Sequence, residues 1–341
     1  MKHDLKGMSS LEIADWAVSQ GLEAYRGRQI RRWLFKQLAT SFDEMTDLPK
    51  ALRTLLKRRA SISHLRHLKT LCSEDGTEKY LFMLPDGVVI ESVLIPEKGH
   101  HTICVSSQAG CAMSCRFCYT GEQGLKRNLS SAEIIEQVIH VTKTMEHPGQ
   151  LTNIVFMGMG EPLANYDSVV KAIENLVAED GLNFSKRKVT LSTCGLVPEM
   201  EKLGREMVVN LAVSLNAADD QTRDYLMPVN HTYPLPRLLS ACRQFPLPNR
   251  SRITFEYVMI RDINDRDQDA LSLVKLLSGV KAKINLIPLN PHPGSQLSPS
   301  LMESVHRFQK ILLDRHCTAI IRKSKGSDIL AACGQLSGLH K

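Results

Sequence analysis

The stretch CVSSQAGCAMSCRFCYTGEQG (104–124) leaves a predicted strand, HTICVSS (101–107), and enters a loop holding Cys111, Cys115 and Cys118. Their C-x3-C-x2-C spacing demands a chemical reason. Thiolates are soft ligands, suited to zinc or to an iron–sulfur cluster. Structural zinc normally takes four protein ligands, often from two paired elbows, and no second pair stands nearby in the chain. Three thiolates in one tight loop match a [4Fe–4S] cluster held at three irons, with the fourth iron open to a small molecule. Buried unligated thiols are the plain alternative.

From that strand onward the chain alternates. Short apolar runs follow at NIVFMG (153–158), KVTLST (188–193), VVNLAVSL (208–215), ITFEYVMI (253–260), KINLIPL (283–289) and TAIIRK (318–323). Amphipathic segments lie between them, at roughly 130–146, 166–179, 196–203, 219–226, 234–244, 266–278 and 299–315. A β-then-α rhythm of this length means a parallel sheet covered by helices. A doubly wound sheet satisfies the pattern too. Polar residues at the strand ends, Gly158 to Glu161, Ser192, Ser214 and Asn290, favour a (β/α) barrel, whose sites assemble there.

Upstream, EKYLFMLPDGVVIESVLIPE (78–97) reads as a hairpin turning at Pro85-Asp86-Gly87 and bridging to an N-terminal helical segment. In that segment Ser9 and Glu12 have the spacing of a capping box. RGRQIRRWLFKQLA (26–39) puts Ile30, Leu34 and Leu38 on one face and Arg28, Arg31, Arg32 and Lys36 on the other. A third helix covers 48–60. The expected division is a helical accessory domain at 1–62, a hairpin extension at 63–97 and a catalytic domain at 98–341.

Charge follows the same division. The net charge of +7 resides entirely in residues 1–70, which hold 14 basic against 7 acidic residues. A basic segment on an otherwise neutral chain points to a polyanion such as RNA or DNA, with a merely solvated helix face as the bland alternative. With 43% apolar and 23% charged residues the composition is globular, and no apolar run reaches membrane-spanning length. The expectation is a cytoplasmic protein without a membrane anchor. Nine cysteines, an odd number, argue against a structural disulfide framework.

With CRFCYTGEQG (115–124), FMGMGEP (156–162), INLIPLNP (284–291) and RKSKGSDILAACGQLSG (322–338) added, the sequence resembles the radical S-adenosylmethionine (SAM) RNA adenine C2-methyltransferases. The resemblance implies a partial (β/α)6 barrel, one [4Fe–4S] cluster on Cys111, Cys115 and Cys118, and two SAM molecules per turnover. It implies 23S rRNA and tRNA as substrates, a flavodoxin- or ferredoxin-type electron donor, and a monomer. Ordinary methyl transfer fails at adenine C2, an electron-poor carbon with no nucleophilic lone pair, so radical chemistry is needed. The family route methylates Cys333 with one SAM. A radical from the second SAM takes a hydrogen from that methyl group, and the resulting carbon adds to C2. Glu91 matches the proton acceptor, and Cys104 matches the thiol that resolves the protein–RNA adduct through a transient disulfide. Gly160, Glu161, Ser192, Ser214, Leu215, Asn216 and Asn290 match the SAM contacts. Read without the family, Cys104 is a core cysteine on a strand, Cys333 a small helix residue and Glu91 an exposed strand carboxylate.

Two departures stand out. Asn216 replaces the histidine common in the family, and asparagine does not titrate near neutral pH. Cys194 replaces a common serine. Competing readings are a C8-directed adenine methyltransferase of the same branch, a radical SAM enzyme with another substrate, and a non-catalytic iron–sulfur RNA-binding protein.

Overall fold

A computed structural model describes residues 2–248 and 250–338. The chain opens with β1 (His3–Asp4), α1 (Ser10–Ser19), α2 (Ala24–Phe35) and α3 (Lys50–Arg59), and β2 (Ala60–Ser61) pairs in parallel with β1. Ser9 and Glu12 form the reciprocal capping box at the start of α1. These helices do not stand apart from the body. Leu5, Ile13, Ile30, Leu34 and Leu56 are fully buried in the same core as the main sheet. Lys6 pairs with Glu136, and the Gly7 carbonyl accepts the Ser131 hydroxyl.

Arg31 corrects one expectation. It is 2% exposed and donates to Asn175 at 2.8 Å while pairing with Asp180 at 2.9 Å. The helical period does put it on the polar side of α2, but at that point the polar side meets the body. Arg28, Arg32 and Lys36 remain exposed.

Next, β3 (Arg66–Cys72), β4 (Glu78–Met83) and β5 (Val89–Glu97) form an antiparallel meander. The following strand, β6 (His100–Cys104), is antiparallel to β5. The hairpin is therefore continuous with the main sheet. A short pair, β7 (Gln108–Gly110) and β8 (Leu125–Asn128), brackets the cysteine loop and the single turn α4 (Tyr119–Glu122). Six helical crossovers follow, through α5 (Ser131–Thr144), β9 (Leu151–Phe156), α6 (Tyr166–Val177), β10 (Val189–Thr193), α7 (Val197–Glu206) and β11 (Asn210–Ser214). The chain continues with α8 (Asp220–Leu226), α9 (Leu235–Gln244), β12 (Ile253–Met259), α10 (Asp267–Leu276), β13 (Ala282–Pro288), α11 (Met302–Leu313) and β14 (Ala319–Ile321).

The ten-stranded sheet runs β14-β13-β12-β11-β10-β9-β6-β5-β4-β3. Its strands β6 and β9 to β14 are parallel. The sheet stays open, with β14 and β3 as its edges. Side chains from β5, β6, β9, β10, β12 and β13 nevertheless line one interior cavity, so the sheet must curve around it. The α/β fold is thus a partial barrel with antiparallel strands added at one side. Among the described residues no helix is long and apolar enough to cross a membrane.

Candidate active site

One cavity lies at the C-terminal ends of the strands. It gathers Cys111, Cys115 and Cys118, then Gly158, Gly160 and Glu161 after β9, Ser192 and Cys194 at β10, Ser214 and Asn216 at β11, and Asn290 after β13. The cysteine loop is closed by Gly110, whose φ is 78° and where a Cβ would stand 2.0 Å from the Gly124 carbonyl oxygen. Only glycine fits there. Within the loop Ala112, Ser114 and Arg116 are exposed, whereas Cys111, Met113, Cys115 and Phe117 line the cavity.

Backbone N–H groups of Met113 and of Thr120 and Gly121 reach the sulfurs of Cys111 and Cys118. Burial pushes all three thiols up, Cys111 to about 12, and neighbouring thiolate charge adds to the effect at Cys111 and Cys115. Mutually repelling soft donors of this kind suit a cationic iron–sulfur core. No three His, Cys, Asp or Glu among the described residues are set to hold a single metal ion. A cubane differs in taking one thiolate per iron, so its ligands stand further apart. The loop fits such a cluster.

Gly160 has φ 100°, and a Cβ there would meet the Gln108 side chain at 2.4 Å. This tight approach lets Gln108 Oε1 accept the Glu161 N–H at 2.8 Å. Glu161 joins two strand ends: its Oε1 accepts from Leu163 N–H at 3.0 Å and its Oε2 from Cys194 N–H at 2.7 Å. The side chains of Cys194 and Thr193 also reach this carboxylate. Burial raises the pKa of this carboxyl. Asn216, at φ 59°, accepts the Val258 N–H at 2.8 Å and points its amide nitrogen at Met227 Sδ. Leu215 is different. Its side chain is fully buried and outside the cavity lining. The buried guanidinium of Arg223 ties the carbonyls of Cys194, Ser214 and Leu215 together at 2.7, 3.2 and 3.1 Å.

A second cavity of about 450 Å³ lies inside the barrel and includes Cys104, Thr102, Asn153, Thr190, Lys283, Asn285 and Arg322. Five residues line both cavities: Met157, Glu256, Ile287, Asn290 and Cys333. Cys333 therefore stands in the dividing wall. Its exposure is to this interior space, and protein surrounds the thiol closely enough to push its pKa up to about 11, with the charge of Glu256 contributing and Arg322 opposing. The loop bearing it is held on both sides. Asn290 donates to the Cys333 carbonyl at 3.2 Å, Tyr119 N–H to that of Gly334 at 2.7 Å, and the Thr120 hydroxyl to that of Leu336 at 2.6 Å. Cys104, at the end of β6, is raised by burial and then by the charge of Cys333. All nine cysteines are free thiols.

Glu91 lies on β5 two residues before Val93, the register partner of Cys104. It is 1% exposed and lines neither cavity. Lys79 Nζ stands 3.7 Å away, and the Ser337 N–H donates to it at 3.2 Å. Burial raises its pKa, with Lys79 and the backbone N–H groups of the tail opposing. The C-terminal segment thus covers this carboxylate. Sequence reading passed over Glu256, although a charged residue inside the apolar strand ITFEYVMI was the available signal.

The comparisons with known proteins first give the class. The Radical SAM superfamily model matches residues 105–274, and a solved radical SAM methyltransferase from Sphaerobacter thermophilus superposes with a TM-score of 0.94 at 43% identity, covering 99% of this chain and 100% of that one. The chain is a SAM-dependent methyltransferase of the radical SAM class, whose equipment is a [4Fe–4S] cluster and SAM. Residues 3–62 match the Ribosomal RNA large subunit methyltransferase N-terminal domain. The chain is 53% identical over 335 residues to the dual-specificity RNA methyltransferase RlmN of Geobacter sulfurreducens, covering 98% of this chain and 92% of that protein. Against the protein of the same name from Desulfosudis oleivorans it is 52% identical over 338 residues, covering 99% and 91%. It belongs to the RlmN family of dual-specificity RNA methyltransferases. The resemblance read from the cysteine loop and the GMGEP and AACGQL segments is borne out along the whole chain.

Proposed function

We propose that this enzyme methylates C2 of adenine in 23S rRNA and in tRNA, through a methylated Cys333 and a transient protein–RNA adduct. The observation that carries the reading is the position of Cys333 in the wall between two cavities, with Cys104 lining the inner one. Cys111, Cys115 and Cys118 would hold the cluster, and Gly160, Glu161, Ser192, Ser214, Asn216 and Asn290 would hold SAM beside it. When bound, the cluster supplies the electron that cleaves SAM to a carbon radical.

The protein's own groups do the rest. Cys333 gives up its thiol proton and takes the methyl group of the first SAM, its sulfur–carbon bond forming as the sulfonium–methyl bond breaks and S-adenosylhomocysteine leaves. That methyl group would lose one hydrogen atom to the radical from the second SAM, and from the dividing wall Cys333 presents the resulting carbon to an adenine in the inner cavity, where it bonds to C2. Glu91 accepts the C2 proton once the tail at Ser337 lifts from it. The Cys104 thiolate attacks the Cys333 sulfur, forming a disulfide as the carbon–sulfur bond breaks. The freed carbon keeps the electron pair and takes a proton to become the methyl group, and the one electron left over from the radical addition would pass back to the cluster. Polar groups at Asn153, Thr190 and Asn285 suit a heterocycle rich in ring nitrogens.

Residues 1–62 serve as the RNA-binding accessory region through exposed Arg28, Arg32, Lys36 and Lys57 to Arg59, residues 63–97 as its extension and 98–341 as the catalytic domain. The enzyme works in the cytoplasm as a monomer, fed by a flavodoxin or ferredoxin. The test is anaerobic reconstitution with rRNA and tRNA fragments, followed by nucleoside mass spectrometry against 2-methyl- and 8-methyladenosine. The expected product is 2-methyladenosine from both RNAs. An 8-methyl product, or SAM cleavage without RNA methylation, would overturn the proposal.

A further inference from the structure

The outer side of the cysteine loop carries an open groove to which neither SAM nor RNA is assigned. Arg116, Gly121 and Glu122 form one bank, Gly294 and Gln296 the other, with Tyr225 alongside. Cys115 belongs both to this groove and to the first cavity, so one residue's thickness separates them. Gly121 keeps that wall thin, since a Cβ there would stand 3.1 Å from the Cys115 nitrogen. The inner cavity, by contrast, includes none of the three cluster cysteines.

Each radical event consumes one electron from outside. The proposed function assigns SAM to the first cavity, on the inner side of the cysteine loop, and the adenine to the second, which leaves the outer side for the donor. The chemistry of the groove matches a protein better than a nucleic acid. Arg116 is offset by Glu122, whereas a phosphate-binding surface needs accumulated positive charge. The Arg116 guanidinium lies 4.5 Å over the ring of Tyr225, which is 45% exposed. An arginine stacked on an exposed aromatic is the side-chain type that anchors protein interfaces.

We propose that this groove is the docking face for a reduced low-potential one-electron carrier protein, which delivers its electron past Cys115. The inference rests on the cluster assignment of the proposed function. In the step the carrier is oxidised by one electron, the cluster is reduced by one, and no covalent bond changes.

The experiment uses anaerobic holoenzyme and flavodoxin hydroquinone as probe. Stopped-flow absorbance follows cluster reduction, and calorimetry measures flavodoxin binding. Arg116→Glu and Tyr225→Ala should slow reduction by flavodoxin and weaken its binding by about tenfold each. Gln296→Trp, which fills the groove without removing either anchor, should do the same. Reduction by dithionite and affinity for RNA should stay unchanged in all three. Flavodoxin reduction at the wild-type rate would overturn the proposal, as would equal slowing with dithionite, or weakened RNA binding beside intact flavodoxin binding. A wild-type protein that passes both reduction tests with the expected variant effects, yet methylates no RNA, supports the groove and counts against the proposed reaction instead.

Discussion

Replacing Cys104 and Cys333 separately by alanine divides the two roles assigned to them. Cys104 is 7% exposed and packs in the core beside β5 and β9, so its substitution removes one buried sulfur. The cost is about 1 kcal/mol, roughly one methylene of burial plus a small residual cavity. That lowers the folded-to-unfolded ratio about fivefold, which a domain with ordinary stability tolerates. Cys333 lies on a loop against two cavities, so its substitution removes fewer packing contacts and costs no more. Folding therefore cannot explain a large difference between the variants. Cys333→Ala has no methyl carrier and should form no adduct. Cys104→Ala keeps the carrier but lacks the resolving thiol, and should accumulate RNA covalently bound to Cys333. Each variant is expressed with substrate RNA, digested with nuclease and trypsin, and its peptides are weighed. Absence of an adduct on Cys333 in the Cys104 variant, with cluster and RNA binding intact, would refute the assignment.

The Cys333 thiol, pushed up to about 11 by burial and by Glu256, is protonated at neutral pH in the cluster-free protein. Its alkylation rate should rise about tenfold per pH unit from 7 to 10, where an ordinary cysteine levels off near 9. Glu256→Gln should speed labelling at a given pH, because it removes a repelling charge. Quantitative mass spectrometry of the labelled peptide checks both. Arg28→Glu with Arg32→Glu should leave stability nearly unchanged, weaken RNA binding and lower the slope of log affinity against log salt by about 2. Arg31→Ala should instead cost about 2–3 kcal/mol, from the stranded Asn175 amide and lost stacking on Phe35, since half-exposed Asp180 regains water. Urea unfolding and filter binding at several salt concentrations separate the two effects.

Much of the barrel was legible because parallel strands buried on both faces read as continuous apolar runs. Leu211 to Val213 are fully buried, as the run VVNLAVSL suggests. The edge strand β3, RHLKTLC, had no such signal, because its exposed positions carry Arg66, His67 and Lys69. The short β7–β8 pair was equally hidden, since it depends on Gly110 meeting Gly124 across the cysteine loop. Arg31 misled for a tertiary reason: helical periodicity separates polar from apolar faces but does not say which polar face meets another part of the protein. For the site, the cysteine spacing and strand-end polar residues located the first cavity. Lys79 and Ser337 closing over Glu91 arise from contacts far apart in the chain, and no local pattern announces them.

Two of the three side chains proposed to react, Glu91 and Cys104, ride on hydrogen-bonded neighbours in one sheet, so their separation is fixed by register. Cys333 travels on a loop with left-handed residues at Gly326, Leu330, Gly334 and Gly338. On the proposed roles, the segment 326–338 sets where the methyl carrier stands, while the strands set the distance between its two partners. On that reading, substitutions in 326–338 should change turnover by degrees, whereas a register shift between β5 and β6 should abolish it.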